Sequence, residues 1–406
     1  MGDRVVCPLF LNHTGTVPGH SPDYPDELAQ IVAELNRAAN PDQSPKPRAV
    51  TPTPANPSSL DQLLVQAVRR GASDLLLIGA APVTLRIAGT LVAAGPPLGS
   101  DDARSLLLPL LSQAQGHELQ RAKSVDLCFS REGIGRFRAN IHHQRGTVAG
   151  SIRLLPERVP TLESLHLPAT LRRFAEARQG LVLITGPTGC GKSSTLAALI
   201  DLINTQRRDH VVTIEDPIEF VHGNRQSVIE QIEIGQDAPD FAGSLRSILR
   251  QNPDVILVGE MRDPETIATV LTAAETGHLV LSTLHTNDTS QAVSRILDSF
   301  PSSNQPQIRQ QLSLALLAVV AQQLVPSASG ARYPAVEILM ATTGVRSLIR
   351  KGEDHQLYNA LSTGRAEGMI AMEQSLAEMA RNGRITRETA LAHGFRSEAL
   401  SRYLEN

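Results

Sequence analysis

One stretch, LVLITGPTGCGKSSTLAALIDLIN from Leu181 to Asn204, restricts the possible folds more than any other part of the chain. Leu181 to Thr185 is an apolar, β-branched run that reads as a buried strand. Gly186, Pro187, Thr188, Gly189, Cys190, Gly191, Lys192 and Ser193 then fill every position of the pattern G-x-x-x-x-G-K-[ST]. Strand, glycine loop and helix in that order form a phosphate cradle. Gly186, Gly189 and Gly191 let backbone N–H groups turn inward on phosphate oxygens, and the helix that opens at Ser193 and Ser194 aims its positive end at the same anion. The spacing predicts Lys192 on the β- and γ-phosphates of ATP and the Ser193 hydroxyl on Mg²⁺. Cys190 reads as a small loop residue, with redox control as the alternative.

The segments that follow predict an α/β sheet whose strand ends converge on that loop. Val211 to Ile214 runs into Glu215, Asp216, Pro217, Ile218 and Glu219, so three carboxylates gather where a parallel strand ends, the edge at which such sheets bind ligands. Phe241 to Gln251 reads as a helix with Arg246 and Arg250 on one face. Val255 to Val258 is a second buried strand, ending in Gly259 and Glu260, and Asp263 caps a helix from Pro264 to Glu275. His278 and His285 bracket a third strand that begins at Leu279. As metal ligands they lack a third partner at suitable spacing; structural histidines and polar contacts to a nucleotide or a neighbouring subunit remain the two readings.

Upstream, residues 1–58 are rich in Pro, Ser, Thr and Asn, a composition expected to form a flexible extension. Within it Leu28, Ile31, Val32 and Leu35 have helical spacing, suited either to docking on a partner or membrane or to packing on the chain's own body. From Leu60 an amphipathic helix, short strands and a helix from Ser100 through Leu111 predict an α+β module over residues 59–158. Phe137, Ala139 and Ile141 alternate with Arg136, Arg138 and Asn140, and a further strand carries Arg153. These arginines are either a solvated strand face or functional. The proline-rich segment LPERVPTLESLHLP leads to the nucleotide domain, residues 159–325, followed by a C-terminal helical region, residues 326–406. A formal net charge of −3, few aromatics and no Trp argue against general nucleic-acid binding. Three scattered cysteines fit a reducing compartment. The longest apolar run, Leu312 to Ala321, is about half the ~20 residues a membrane helix needs, and no signal-peptide core is evident, so a cytoplasmic protein is expected.

Taken in order, GPTGCGKSS, TIEDPIEF, ILVGEMRD and GHLVLSTLHTND resemble the Walker A, Asp box, Walker B and His box of the secretion ATPases that drive type II secretion and type IV pili. The resemblance runs from about Ser59 to Leu391. It implies a PAS-like first domain, a RecA-like P-loop NTPase core and a homo-hexameric ring that holds ATP and Mg²⁺ between the two domains. It also implies a cytoplasmic location at the inner face of the membrane, against a pilus platform protein. By position it casts Arg138 and Arg153 as charge neutralisers for the γ-phosphate, Glu260 as the group that polarises water with Glu219 as the alternative, Glu215 and Asp216 near the metal, and His278 and His285 as sensors of nucleotide state. No cysteine follows Cys190, whereas assembly and secretion members carry zinc-binding Cys pairs. The stretch Gly344 to Ile349 instead resembles the AIRNLI motif of the pilus retraction branch. An extension or secretion motor, a DNA translocase and a non-hydrolysing regulator stand as alternatives.

Overall fold

A computed structural model describes residues 59–328 and 330–405. The 1–58 extension and its helical pattern lie outside the described residues. Among those described, two sheets organise the chain. The first comprises β1 (Ala72–Leu77), β2 (Pro82–Ile87), β3 (Thr90–Pro97), β4 (Ser124–Arg131), β5 (Gly135–Gln144) and β6 (Thr147–Leu155), antiparallel in the order β3-β2-β1-β6-β5-β4. Alternation assigns its faces. Phe137, Ala139 and Ile141 of β5 are buried with Leu63, Leu64 and Ala67 of the helix Leu60–Arg69, while Arg136, Arg138 and Asn140 turn to the other face. On that face Arg138 is registered opposite Arg153, Arg153 opposite Asp74, and Asp74 opposite Arg86. Asp74 pairs with Arg153 at 3.0 Å and Arg86 at 3.3 Å.

The helix expected from Ser100 through Leu111 ends at Leu107 and passes into a 3₁₀ turn, Leu108–Leu110. Pro109 explains the change, since its ring and missing N–H do not continue an α-helix. A second helix, Gln113–Ala122, follows behind a reciprocal cap between Ser112 and Gln115.

The second sheet contains β7 (Gly180–Thr185), β8 (His210–Glu215), β9 (Val228–Glu233), β10 (Val255–Val258), β11 (Leu279–Leu284), β12 (Leu316–Pro326) and β13 (Arg332–Met340), in the order β13-β12-β7-β11-β10-β8-β9. Its neighbours are parallel except β12 and β13. Every residue of β7, β10 and β11 is buried, because helices cover both faces. The helix Lys192–Gln206 packs on one face, and the helices Pro264–Glu275, Thr289–Asp298 and Gln305–Ala315 on the other. The helix at Phe241 stops at Ile248, so Arg250 lies beyond it and does not share a helical face with Arg246. Asn252, at φ +54°, and Pro253 turn the chain into β10.

Two strands differ from expectation. β9 was not anticipated, since VIEQIE at the sheet edge mixes polar and apolar residues on both faces and shows no clean period of two. β13 opens the region expected to be helical, and helices begin only at Thr343. The apolar run Leu312 to Ala321 is divided between the helix Gln305–Ala315 and β12. No described helix is long and apolar enough to cross a membrane.

The helix Thr343–Lys351 carries the Gly344 to Ile349 stretch. Val345 and Ile349 are fully buried and Leu348 packs against the same core. Arg346 donates to the carbonyls of Ala341 (2.8 Å), Ser313 (2.6 Å) and Leu314, closing the C-terminal end of Gln305–Ala315. Arg309 of that helix donates to Ile349 O at 3.1 Å and forms a bidentate pair with Asp354. Each helix therefore supplies the cation that satisfies the other's orphan carbonyls.

Candidate nucleotide cleft

A cleft of about 590 Å³ opens between the C-terminal ends of β7, β8, β10 and β11 and the arginine-bearing face of the small sheet. Its floor is the glycine loop. Gly186, Gly189 and Gly191 adopt φ of +145°, +78° and +96°. At Gly186 a side chain is also excluded by contact, because a Cβ there would stand 2.2 Å from the carbonyl oxygen of Gln322.

Gln322, on β12 and only 3% exposed, shapes the loop from beside it. Its amide donates to Cys190 O at 2.7 Å and accepts from the Thr195 hydroxyl at 2.8 Å. Thr195 also donates to Gly191 O at 3.2 Å. The Cys190 thiol is buried, and burial pushes its pKa up against the pull of Lys192. A thiol held in its neutral form is a poor nucleophile and fits the small-residue reading.

Lys192 donates to Gly186 O at 2.8 Å and Pro187 O at 3.2 Å. Burial lowers its pKa, opposed by Cys190, Glu260 and Glu219. His285 stands between charges: Nδ1 is 3.4 Å from Lys192 Nζ and Nε2 is 3.4 Å from Glu260 Oε2. The tautomer that accepts from Lys192 at Nδ1 presents Nε2–H to Glu260. Glu260 is mostly buried and is also ion-paired with Arg262.

Glu215, Asp216 and Glu219 line the same cleft. Burial raises the Glu215 pKa, partly offset by hydrogen bonds from Thr213 (2.8 Å) and Gln231 (3.1 Å). Arg138 and Arg153 face these groups from the small sheet, and Ser193 and Ser194 from the helix N-terminus. No group of three or more His, Cys, Asp or Glu side chains among the described residues forms a metal cage. A hydroxyl with one or two carboxylates fits Mg²⁺, which takes its remaining ligands from phosphates and water.

His278 is not brought into this cleft. Its Nδ1 lies 2.9 Å from Ala273 O at the start of β11. The length of that strand separates it from His285 by roughly 20 Å, so a sensing role in this cleft is not supported. Conversely, Arg262, Gln231, Gln322 and His222 were not singled out from sequence. His222 borders the cleft, with its pKa pushed down to about 4 by burial. Gln322 did leave a signal: an amide inside the apolar run LLAVVAQQLV.

A parallel sheet that gathers a glycine loop and acidic strand ends at one edge defines the class, a phosphate-loop nucleotide-binding fold. Residues 152–397 match the type II/IV secretion system protein family, and the chain belongs to that family. It is 39% identical over 332 residues to the type IV pilus retraction ATPase PilT of Pseudomonas aeruginosa, spanning 82% of this chain and 96% of that protein. It is 38% identical over 335 residues to the type IV pilus ATPase PilU of the same organism, spanning 82% and 88%. A crystal structure of the pilus retraction motor PilT with bound ADP superposes with a TM-score of 0.80 at 39% identity, covering 85% of this chain and 99% of that one.

Proposed function

We propose that this chain is a motor ATPase that hydrolyses MgATP in the cleft and uses the motion of the two sheets to power type IV pilus retraction. One observation carries the reading: Arg138 and Arg153 of the small sheet and the glycine loop of the large sheet line a single cavity. A triphosphate bridging them links its own cleavage to the separation of the sheets.

In this reading Lys192 exchanges its contacts with Gly186 O and Pro187 O for phosphate oxygens. Gly189, Gly191 and the neighbouring loop amides hold the β-phosphate, and the Ser193 hydroxyl, with Glu215 and Asp216 nearby, holds Mg²⁺, whose charge offsets that of the phosphates. Glu260, oriented by Arg262 and His285, polarises the attacking water, with Glu219 as the second candidate. Arg138 and Arg153 neutralise charge that develops on the γ-phosphate, and His285 transmits nucleotide state between Lys192 and Glu260. The chain works as a homo-hexamer at the cytoplasmic face of the inner membrane, against a pilus platform protein.

Phosphate release from purified full-length protein tests the chemistry. Glu260→Gln should retain ATP binding and lose at least about a hundredfold in turnover; wild-type hydrolysis in that variant moves the base elsewhere. Lys192→Ala should weaken both binding and turnover, and an unaltered rate refutes the phosphate-loop assignment. Similarity to the type IV pilus ATPase PilU, whose name fixes no direction of movement, leaves pilus extension as the second reading. A deletion strain separates them, since loss of retraction leaves cells heavily piliated and loss of extension leaves them bald.

A further inference from the structure

The acidic loop, residues 215–222, is held along its length by side chains of β9 and of the small sheet. Gln231 and Glu233 alternate onto one face of β9, the edge strand beside β8. Gln231 donates to the Glu215 carboxylate at 3.1 Å and to Phe220 O at 2.9 Å, and its amide oxygen accepts from the His222 N–H at 2.9 Å. Glu233, 7% exposed, accepts from the Ile218 N–H at 3.1 Å. The other end of that same residue is taken by the small sheet, where Arg136 of β5 donates to Ile218 O at 3.2 Å. Cys128 of β4 faces Glu233 as well, and its thiol is pushed up to about 11 by burial and by that carboxylate.

The loop bearing Glu215, Asp216 and Glu219 is thus gripped at its start, middle and end by β9, with one further contact that crosses from the other sheet. We propose that Gln231 and Glu233 are positioning residues for the acidic loop, and that Arg136 makes the loop's placement depend on how closely the small sheet approaches. The three act through the loop rather than on substrate. Withdrawal of the small sheet removes the Arg136 contact while β9 retains its own, so the carboxylates lose one of their supports as the cleft opens. Arg136 differs in this from Arg138, two residues along the same strand face, which lines the cleft itself. Its consequence for turnover rests on the hydrolysis reading above; its consequence for loop order does not.

Two measurements on the purified full chain test this. Hydrogen exchange reads the loop directly, because the Ile218 and His222 amides donate to Glu233 and Gln231. Glu233→Ala and Gln231→Ala should each speed exchange across residues 218–222 by at least about tenfold, with residues 186–193 unchanged. Unchanged exchange at 218–222 overturns the positioning role, whether or not the protein hydrolyses ATP. In phosphate release, Gln231→Ala, Glu233→Ala and Arg136→Ala should lower kcat about tenfold with KM and ADP affinity within about twofold. Glu233→Gln keeps an acceptor and Arg136→Lys a donor, so both should recover most of the loss. A variant set with wild-type kcat, or alanine variants no worse than their conservative counterparts, refutes the proposal, whereas a wild-type protein inactive under every condition refutes the ATPase reading alone.

Discussion

Gln322→Leu isolates the contribution of β12 to the phosphate loop. Leucine keeps the approximate volume of glutamine and removes both polar atoms, so the cost arises from the partners left behind. The Thr195 hydroxyl keeps a second acceptor, Gly191 O at 3.2 Å. The Cys190 carbonyl loses the amide donor at 2.7 Å, and nothing else among the described hydrogen bonds replaces it. A buried carbonyl without a partner costs roughly 1–3 kcal/mol. At about 2 kcal/mol, and with 1.4 kcal/mol per factor of ten, displacement of the loop weakens nucleotide binding by roughly thirtyfold. Titration of a fluorescent ADP analogue into purified full-length protein reads the affinity, and a urea midpoint read in parallel separates loop distortion from general loss of stability. An affinity within twofold of wild type refutes the reasoning. A fall in the urea midpoint with affinity intact refutes it equally, because the cost would then lie in the core rather than in the cradle.

Two further perturbations act on charged side chains, one half-buried and one in the core. Arg346→Ala leaves three backbone carbonyls without their guanidinium and should lower stability by about 2–4 kcal/mol, with Arg346→Lys recovering less than half because an ammonium cannot match the planar fork; a urea midpoint equal to wild type means the caps are dispensable. Glu337, on β13, accepts from the Thr289 N–H (2.9 Å) and hydroxyl (2.7 Å), yet burial raises its pKa and its second oxygen has no hydrogen-bond partner. A carboxyl raised on folding contributes stability below its unfolded pKa and loses it as pH climbs through the folded value. The wild-type Tm should therefore fall more between pH 5 and pH 8 than that of Glu337→Gln, and parallel pH profiles would show that Glu337 does not carry the effect.

The parts of the cleft legible in the sequence are those whose chemistry is local. The glycine spacing, Lys192 and Ser193 lie in one continuous segment, and Glu215, Glu219, Glu260 and His285 each end or follow an apolar run, so period and position suffice to find them. His278 has the same local appearance as His285, and only the direction of β11 reveals that it lies at the opposite edge of the sheet. Gln231, Glu233 and Gln322 act across strand neighbours that are distant in sequence: β12 lies beside β7 more than a hundred residues away. A half-exposed edge strand such as β9 carries no strong period to announce it, and the switch from helix to strand at Leu316 occurs within one uniformly apolar run, with no glycine or proline to mark it.

The two amides share one geometry. β12 is the neighbour of the loop-bearing strand β7 and β9 the neighbour of the acid-bearing strand β8, and in each case a glutamine close to the level at which the neighbouring strand ends reaches across to the loop that follows it. A neutral side chain that both donates and accepts is suited to this place. Gln322 holds a donor against Cys190 O and an acceptor against Thr195, beside the lysine that the proposed function assigns to phosphate. A carboxylate there would compete for Lys192, and a cation would repel it. Next to Glu215, whose ionised form burial already disfavours, a glutamate at 231 would push that pKa further up, while a lysine would pair with the carboxylate and withdraw it from the cleft. Glutamine fixes both loops without altering the charges they present, so the electrostatics of the cleft remain those of Lys192, the strand-end carboxylates and the arginines opposite them.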